Sequence, residues 1–277
     1  MEKQHKIAFI GAGAMAEAMI AGMTKTLYKP NQLIVTNRAN KDRLSYLANT
    51  YGVRTETNKQ QAVQEADIII LAMKPKDVAN SMAEFVSSIR EDHLIISVLA
   101  GVATDSIVEL AKKRVPVVRA MPNTSAAIGK SATAISLGKF ANEQHLAIAK
   151  SLFETVGLVT VVEEHHLHAV TALSGSGPAY VYYLVEAMEK AANEIGLESN
   201  VAKSLILQTI IGAAEMLKHS PKHPSALRKE VTSPNGTTEA GIRVLEAYRY
   251  QEAMIACIKR AMERSIELGK ELIAMTK

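Results

Sequence analysis

Cysteine and tryptophan are nearly missing from this chain: Cys257 is the single cysteine, and none of the 277 residues is a tryptophan. One cysteine excludes an intramolecular disulfide and any cysteine-based zinc cluster. Within its helical pattern Cys257 reads as a packing residue. Aromatic residues are only 4% of the chain, which leaves few platforms for stacking bases or sugars. The formal net charge is only +4, with basic and acidic residues interspersed, so no nucleic-acid partner is expected. No run reaches the roughly 18 apolar residues that a membrane span needs. The first expected strand begins by residue 6, leaving no room for a signal peptide, so the expectation is a cytoplasmic protein without a membrane partner. Apolar residues, in contrast, make up 48%, enough for a substantial core and for two domains.

Residues 6–10, KIAFI, form an apolar run that ends in Gly11-Ala12-Gly13-Ala14-Met15-Ala16 and continues as a helical pattern to about Thr26. Strand, glycine turn and helix in that order are a dinucleotide-binding fingerprint of the form G-x-G-x-x-A. Gly11 makes the turn, Gly13 lets a pyrophosphate approach the backbone, and Ala16 lets helix and strand pack closely. The helix start at Ala14 and Met15 then faces the phosphates. A second strand, 33–36, ends at Asn37-Arg38, where a NAD-binding chain would usually carry an acid for the ribose hydroxyls. Arginine there can pair with a 2′-phosphate, which favours NADPH and leaves NADH use open. The alternative is that Arg38 only solvates a loop.

Strands follow at 53–55, 67–73, 94–98, 116–119, 132–137 and 157–162, with helices near 40–49, 58–65, 104–112 and 142–155. The run 67–73, DIIILAM, reads as a parallel strand buried on both faces. Its end, Ala72 followed by Lys74-Pro75, lies where open α/β sheets bind ligands, as does Ala100-Gly101 after the strand at 94–98. Pro75 also suits the first turn of a helix. The alternation of strand and helix stops at Glu163-Glu164, so the expected division is a dinucleotide-binding domain over 1–163 and an all-helical domain over 164–277. His165, His166 and His168 are rejected as a metal set, because adjacent helical residues diverge and no further ligand at helical spacing completes it.

Thr171 to Tyr180, TALSGSGPAY, reads as a flexible break before a new helix at Pro178. Helices at 180–195 and 199–218 carry more apolar surface than a domain of that size needs, which predicts a homodimer through them, with higher assembly open. Residues 226–246, ALRKEVTSPNGTTEAGIRVLE, combine a Ser-Pro-Asn-Gly turn with Thr237 and Thr238 as candidate N-caps of a helix starting near Thr238, its period carried by Ile242, Leu245 and Tyr248 or Arg249. Unpaired N–H groups at such a start, with the hydroxyls of Ser233, Thr237 and Thr238, suit a small carboxylate.

The last segment resembles the signature of the pyrroline-5-carboxylate reductases: an apolar residue leading into Ser-Pro-x-Gly-x-Thr and on to Leu-Glu, here Val231, Ser233, Pro234, Gly236, Thr238, Gly241, Ile242, Leu245 and Glu246. Asn235 stands where that family often has a second glycine, and asparagine tolerates the same left-handed backbone. Arg119-Ala120-Met121-Pro122-Asn123-Thr124 and Ser174-Gly175-Ser176-Gly177-Pro178-Ala179 are similar to two further family segments, with Ser125 in place of a usual proline. The resemblance spans nearly the whole chain. It implies a Rossmann-type domain followed by an all-α dimerisation domain, and reduction of Δ1-pyrroline-5-carboxylate to L-proline, the last step of proline synthesis. It also implies that Lys74-Pro75 and Met121, Pro122 and Asn123 line the nicotinamide side, and that Ser176 and Gly177 form a small wall against the substrate ring.

No His, Asp or Glu stands out as a proton donor, and the imine can be protonated before it binds. Thr238 is therefore read as a hydrogen-bonding group for the ring nitrogen, with Ser233 and the N–H groups near Gly236 and Thr237 on the substrate carboxylate. Two rivals remain. A β-hydroxyacid dehydrogenase would need a catalytic lysine, for which Lys190 and Lys203 qualify by position only. A non-catalytic NADP sensor would keep the glycine loop without needing the segments 174–179 and 233–238.

Overall fold

The computed structural model describes residues 5–276, with side chains to residue 271. The chain runs β1 (Ile7–Ile10), α1 (Ala14–Thr26), β2 (Leu33–Thr36), α2 (Lys41–Tyr51), β3 (Arg54–Thr55), α3 (Lys59–Glu65), β4 (Ile68–Leu71) and α4 (Val78–Ala83). It continues through β5 (Leu94–Ser97), α5 (Thr104–Ala111), β6 (Val117–Met121), β7 (Ser131–Leu137), α6 (Glu143–Glu154) and β8 (Gly157–Val161). The remainder is helical: α7 (Leu167–Val170), α8 (Gly177–Glu194), α9 (Ser199–His219), α10 (Pro224–Glu230), α11 (Thr237–Ala247) and α12 (Tyr250–Thr276).

The central strands are short runs rich in β-branched residues whose every side chain is buried, IAFI, LIVT and IIIL. Such a pattern is stable only in a sheet covered on both faces. Alternation along β1 assigns the faces: Ile7 and Phe9 belong to a core with Met19, Leu33 and Phe153, while Ala8 and Ile10 belong to one with Ile69, Phe85 and Ile107. Each fully buried side chain of that size contributes about 1.5–3 kcal/mol. The helices start where asparagines cap them: the side chains of Asn40, Asn58 and Asn142 each accept from first-turn N–H groups of α2, α3 and α6. The eight strands are ordered β3-β2-β1-β4-β5-β6-β7-β8, all pairs parallel except β6 with β7. The order reverses between β1 and β4, the crevice position at which doubly wound sheets take their ligands.

Several boundaries differ from the sequence reading. β4 stops at Leu71 because Ala72 leaves the strand at the crevice, and β3 keeps only Arg54 and Thr55. The expected flexible break at 174–178 is instead a π-helical turn, Thr171–Gly175, closed by Ser176 N donating to Thr171 O at 2.8 Å, and α8 begins at once. A residue is inserted into the helical ladder rather than the ladder being broken. α11 ends at Ala247, so Tyr248 and Arg249 do not extend its period; Arg249 is left-handed at φ +54°. Cys257, expected to pack, is exposed, because the described residues leave uncovered the face of α12 that carries it.

Two compact units emerge. One runs to Pro178 and takes in the stretch from Lys259 onward; the other is Ala179–Ile258. In the first, the end of α12 is fastened to the sheet side by His168 Nδ1 and Ser265 Oγ at 2.9 Å, and by a close approach in which a Cβ on Gly269 would stand 2.5 Å from Gly101 O. The second has a small core of Ala192, Ala202 and Ile206. Among the described residues, no helix is long and apolar enough to cross a membrane.

Candidate active site

The crevice between β1 and β4 is shaped by backbone. Gly11 N donates to Thr36 O at 3.0 Å and Ala72 N to Ile10 O at 3.0 Å, which stitches the ends of β2, β1 and β4 together. Gly11 sits at φ +117°, and a Cβ there would lie 2.6 Å from both C and O of Ala72, so this position admits only glycine. Gly13 is different: a Cβ would meet nothing nearer than Ala72 O at 4.0 Å and would fill the open space above the loop. Gly13 is also the N-cap of α1 and offers no side chain, so the first N–H groups of the helix, at Ala14 and Met15, face that space uncapped. Ala16 is fully buried beneath them. An uncapped helix start behind a space that a single methyl would occupy suits a dinucleotide pyrophosphate.

Arg43 on α2 holds this loop, and the sequence reading missed it. Its Nε donates to Ala12 O at 2.8 Å, and its Nη2 donates to Glu17 Oε2 at 2.5 Å. Tyr51 OH donates to the other oxygen of Glu17 at 3.0 Å. Burial works against the Glu17 carboxylate, but these two donors outweigh it and its pKa is lowered. Burial and the neighbouring Glu17 push the Tyr51 phenol up to about 12.

Arg38 is exposed at the end of β2, where Asn37 Nδ2 donates to Asn40 O at 2.6 Å. Gly11, Asn37, Arg38, Lys59 and Met73 line one cleft of about 180 Å³. The glycine turn and the arginine read as a phosphate partner are thus brought together. Beyond β4, Lys74 is the exposed N-cap of a 3-10 turn with Pro75 at its first position, the alternative that the sequence left open. Ala100 is half-buried and Gly101, at φ +79°, is buried against α12.

The segment after β6 meets the π turn. Asn123 is 9% exposed, and its Nδ2 donates to Ser174 O at 3.0 Å while its Oδ1 accepts from Ser125 N at 3.1 Å. A Cβ on Gly175 would stand 2.9 Å from Met121 Cε, so the two segments are packed with no space between. Pro122 is buried between Met121 and Asn123. Ser176 is half-buried with no side-chain hydrogen bond among the described residues, and the space beside Gly177 is open.

Behind this pair lies a buried charge. Arg119, 3% exposed, contacts Glu164 Oε1 at 3.3 Å, and Glu164 also accepts from Thr104 N at 2.8 Å and Thr104 Oγ1 at 2.6 Å. Burial lowers the Arg119 pKa against the pull of Glu164, and its Nη2 has no hydrogen-bond partner among the described residues. A charged residue inside the apolar run PVVRAM was the available signal for it. His168 is depressed by burial and by Arg119, and hydrogen-bonds Ser265; among the described residues no three His, Cys, Asp or Glu side chains could hold a metal.

In the helical unit, the loop before α11 corrects two expectations. The N-cap is Gly236, and Thr237 and Thr238 lie inside the first turn, because Asn235 takes the left-handed step at φ +59° and the helix starts one residue early. The N–H of Gly236 is spent on Ser233 O at 3.0 Å, so it cannot also hold a carboxylate; those of Thr237 and Thr238 make no hydrogen bond among the described residues. Asn235 N donates to Glu239 Oε2 at 2.7 Å, which ties the Pro234-Asn235 turn to the helix. Ser233, Pro234, Thr237 and Thr238 are exposed. Lys190 and Lys203 are exposed on α8 and α9.

Two family models match. Residues 164–268 fit pyrroline-5-carboxylate reductase dimerisation, and residues 6–101 fit NADP oxidoreductase, coenzyme F420-dependent. Pyrroline-5-carboxylate reductase 2 of Bacillus subtilis is 51% identical, over 96% of this chain and 96% of its own. The pyrroline-5-carboxylate reductase structure from Coxiella burnetii superposes with a TM-score of 0.87 at 36% identity, covering 96% of this chain and 99% of that one. That of Plasmodium falciparum pyrroline carboxylate reductase, with NADP bound, gives 0.88 at 26% identity over 96% and 98%. A likeness of this size over nearly the whole chain shows that it belongs to the pyrroline-5-carboxylate reductase family.

Proposed function

We infer that the protein reduces Δ1-pyrroline-5-carboxylate to L-proline with NAD(P)H, as the final step of proline synthesis. The observation that carries this reading is the 51% identity with a reductase of that name across 96% of both chains. Bound NAD(P)H would supply a hydride from its nicotinamide to the ring carbon of the C=N bond. The chain's own work is alignment and exclusion of water.

The proposed cofactor contacts follow the crevice. Gly11, Gly13, Ala14, Met15 and Ala16 offer backbone to the pyrophosphate, and Asn37 and Arg38 favour NADPH by pairing with a 2′-phosphate. Ala72, Lys74 and Pro75, with Ala100 and Gly101, border the nicotinamide side. Met121, Pro122 and Asn123 complete it, Asn123 acting as a positioning residue through its bond to Ser174.

Ser176 and Gly177 are assigned to the substrate ring, where small side chains admit it. Thr238 is assigned the hydrogen bond to the ring nitrogen. Ser233 and the free N–H groups of Thr237 and Thr238 hold the carboxylate, with Pro234 and Gly236 fixing the turn. In functional terms, residues 1–163 bind cofactor, and residues 164–277 bind substrate and join two copies through the C-terminal helices.

The β-hydroxyacid dehydrogenase reading is not favoured, because every relative named above is a reductase of the cyclic imine. The test is cofactor oxidation with pyrroline-5-carboxylate, run with NADPH and NADH in parallel. Turnover with a preference for NADPH is expected. Turnover only of a β-hydroxyacid would overturn the reaction, and tight NADPH binding without turnover would leave a sensor.

A further inference from the structure

Lys59 is an unusual lysine. It opens α3, yet only 7% of it is exposed, and its Nζ lies 2.8 Å from Glu84 Oε1, whose own side chain is 58% exposed. Lysines rarely bury their heads unless paired, and a surface-exposed partner is weak compensation. Helix capping does not explain the position, since the side chain of Asn58 already accepts from Gln60 N and Gln61 N. The location offers a reason: Lys59 and Glu84 line the same cleft as Gly11, Asn37 and Arg38, together with Asp77 and Ser81. An ammonium has three donors, and Glu84 takes one.

We propose that Lys59 and Glu84 are a second determinant of cofactor choice, Lys59 contacting the 2′-phosphate beside Arg38 and Glu84 opposing it. The inference rests on the NADPH preference proposed above. The cleft carries two cations, Arg38 and Lys59, and two carboxylates, Asp77 and Glu84. A phosphate dianion entering it gains a charge-assisted bond from Lys59 and meets repulsion from Glu84. A ribose that lacks the phosphate meets the reverse: its hydroxyls find in Glu84 and Asp77 the carboxylate acceptors that Asn37-Arg38 do not supply at the end of β2. Glu84 thereby holds Lys59 at the cleft before cofactor binds and restrains the preference that Lys59 and Arg38 create.

The test is equilibrium titration of the full-length protein with NADPH and with NADH, by cofactor fluorescence, for the native chain, Lys59→Gln and Glu84→Gln, with thermal midpoints measured without cofactor. Lys59→Gln is expected to weaken NADPH about tenfold and to leave NADH within about twofold. Glu84→Gln is expected to tighten NADPH a few-fold and to weaken NADH. Equal changes for both cofactors, or none, would reduce the pair to a structural link between α3 and the C-terminal cap of α4. If Lys59→Gln fails to fold, Glu84→Gln decides alone, because an unchanged ratio of the two affinities overturns the proposal. A native protein that binds NADH more tightly than NADPH would sink the cofactor reading itself. Native preference for NADPH with no response to either variant would sink only the role of the pair.

Discussion

The sheet-built unit and the helical unit dispose of their apolar residues in opposite ways. Around the sheet, Phe9, Met19, Phe85 and Phe153 are completely buried and every charged exception has a partner, such as Arg119 with Glu164. In the helical unit only Ala192, Ala202 and Ile206 form a buried cluster, while Val201, Leu205 and Met216 stand 46%, 56% and 61% exposed at helical spacing along one face of α9. A face of that kind is stable only when another surface covers it. The match of residues 164–268 to a dimerisation family points to a homo-oligomer. One unit is therefore finished by its own chain, and the other leaves an apolar face that its described residues do not cover.

The strongest way to break that comparison is inside the sheet unit. Glu164→Ala would leave Arg119 buried without a charge partner, and a loss of about 3–5 kcal/mol is expected in chemical unfolding. A loss below 1 kcal/mol would mean that the apparently finished core tolerates a free charge.

Acid should act on the same unit. His93 is completely buried beside β5, and burial, followed by the charge of Arg90, lowers its pKa from 6.5 to about 4. The unfolded chain therefore binds a proton between those values that the folded chain refuses. Stability is full above about 6.5 and falls as pH drops toward about 4, by roughly 3 kcal/mol at most. His93→Leu should flatten that slope in unfolding measured across pH; an unchanged slope would place the acid sensitivity elsewhere.

For the helical unit, Leu205→Asp combined with Met216→Asp should shift the protein toward monomer in light scattering, at about 2 kcal/mol or more per buried charge, with NADPH affinity retained. Undiminished assembly would mean that this face of α9 is covered by something else. The smallest effect expected is Thr238→Ala. Loss of the hydrogen bond proposed for it to the reacting ring should lower kcat about tenfold with little change in NADPH affinity. An unchanged kcat would remove Thr238 from the chemistry.

The legible parts of this chain were those whose physics is local. The glycine turn after KIAFI could be read because strand, turn and helix start are adjacent in sequence, and the structure keeps Gly11, Gly13 and Ala16 in the expected geometry. The left-handed step at Asn235 was readable from its residue type, although the exact helix start was not: Gly236 took the cap that Thr237 and Thr238 were expected to supply. The run TALSG reads as a flexible break, and contact with Met121 and Asn123, about fifty residues away, accompanies a different outcome, a π turn.

By itself, then, the sequence determined the alternation of strands and helices giving way to an all-helical part, the dinucleotide crevice and the family, because apolar runs, glycine turns and asparagine caps act over a few residues. Only the tertiary structure decided that Arg43 would hold the glycine loop, that Arg119 would be buried against Glu164 forty-five residues later, and that Lys59 would share a cleft with Arg38. Those pairings depend on which strands become neighbours, and a charged side chain carries no local mark of the partner that folding will bring to it.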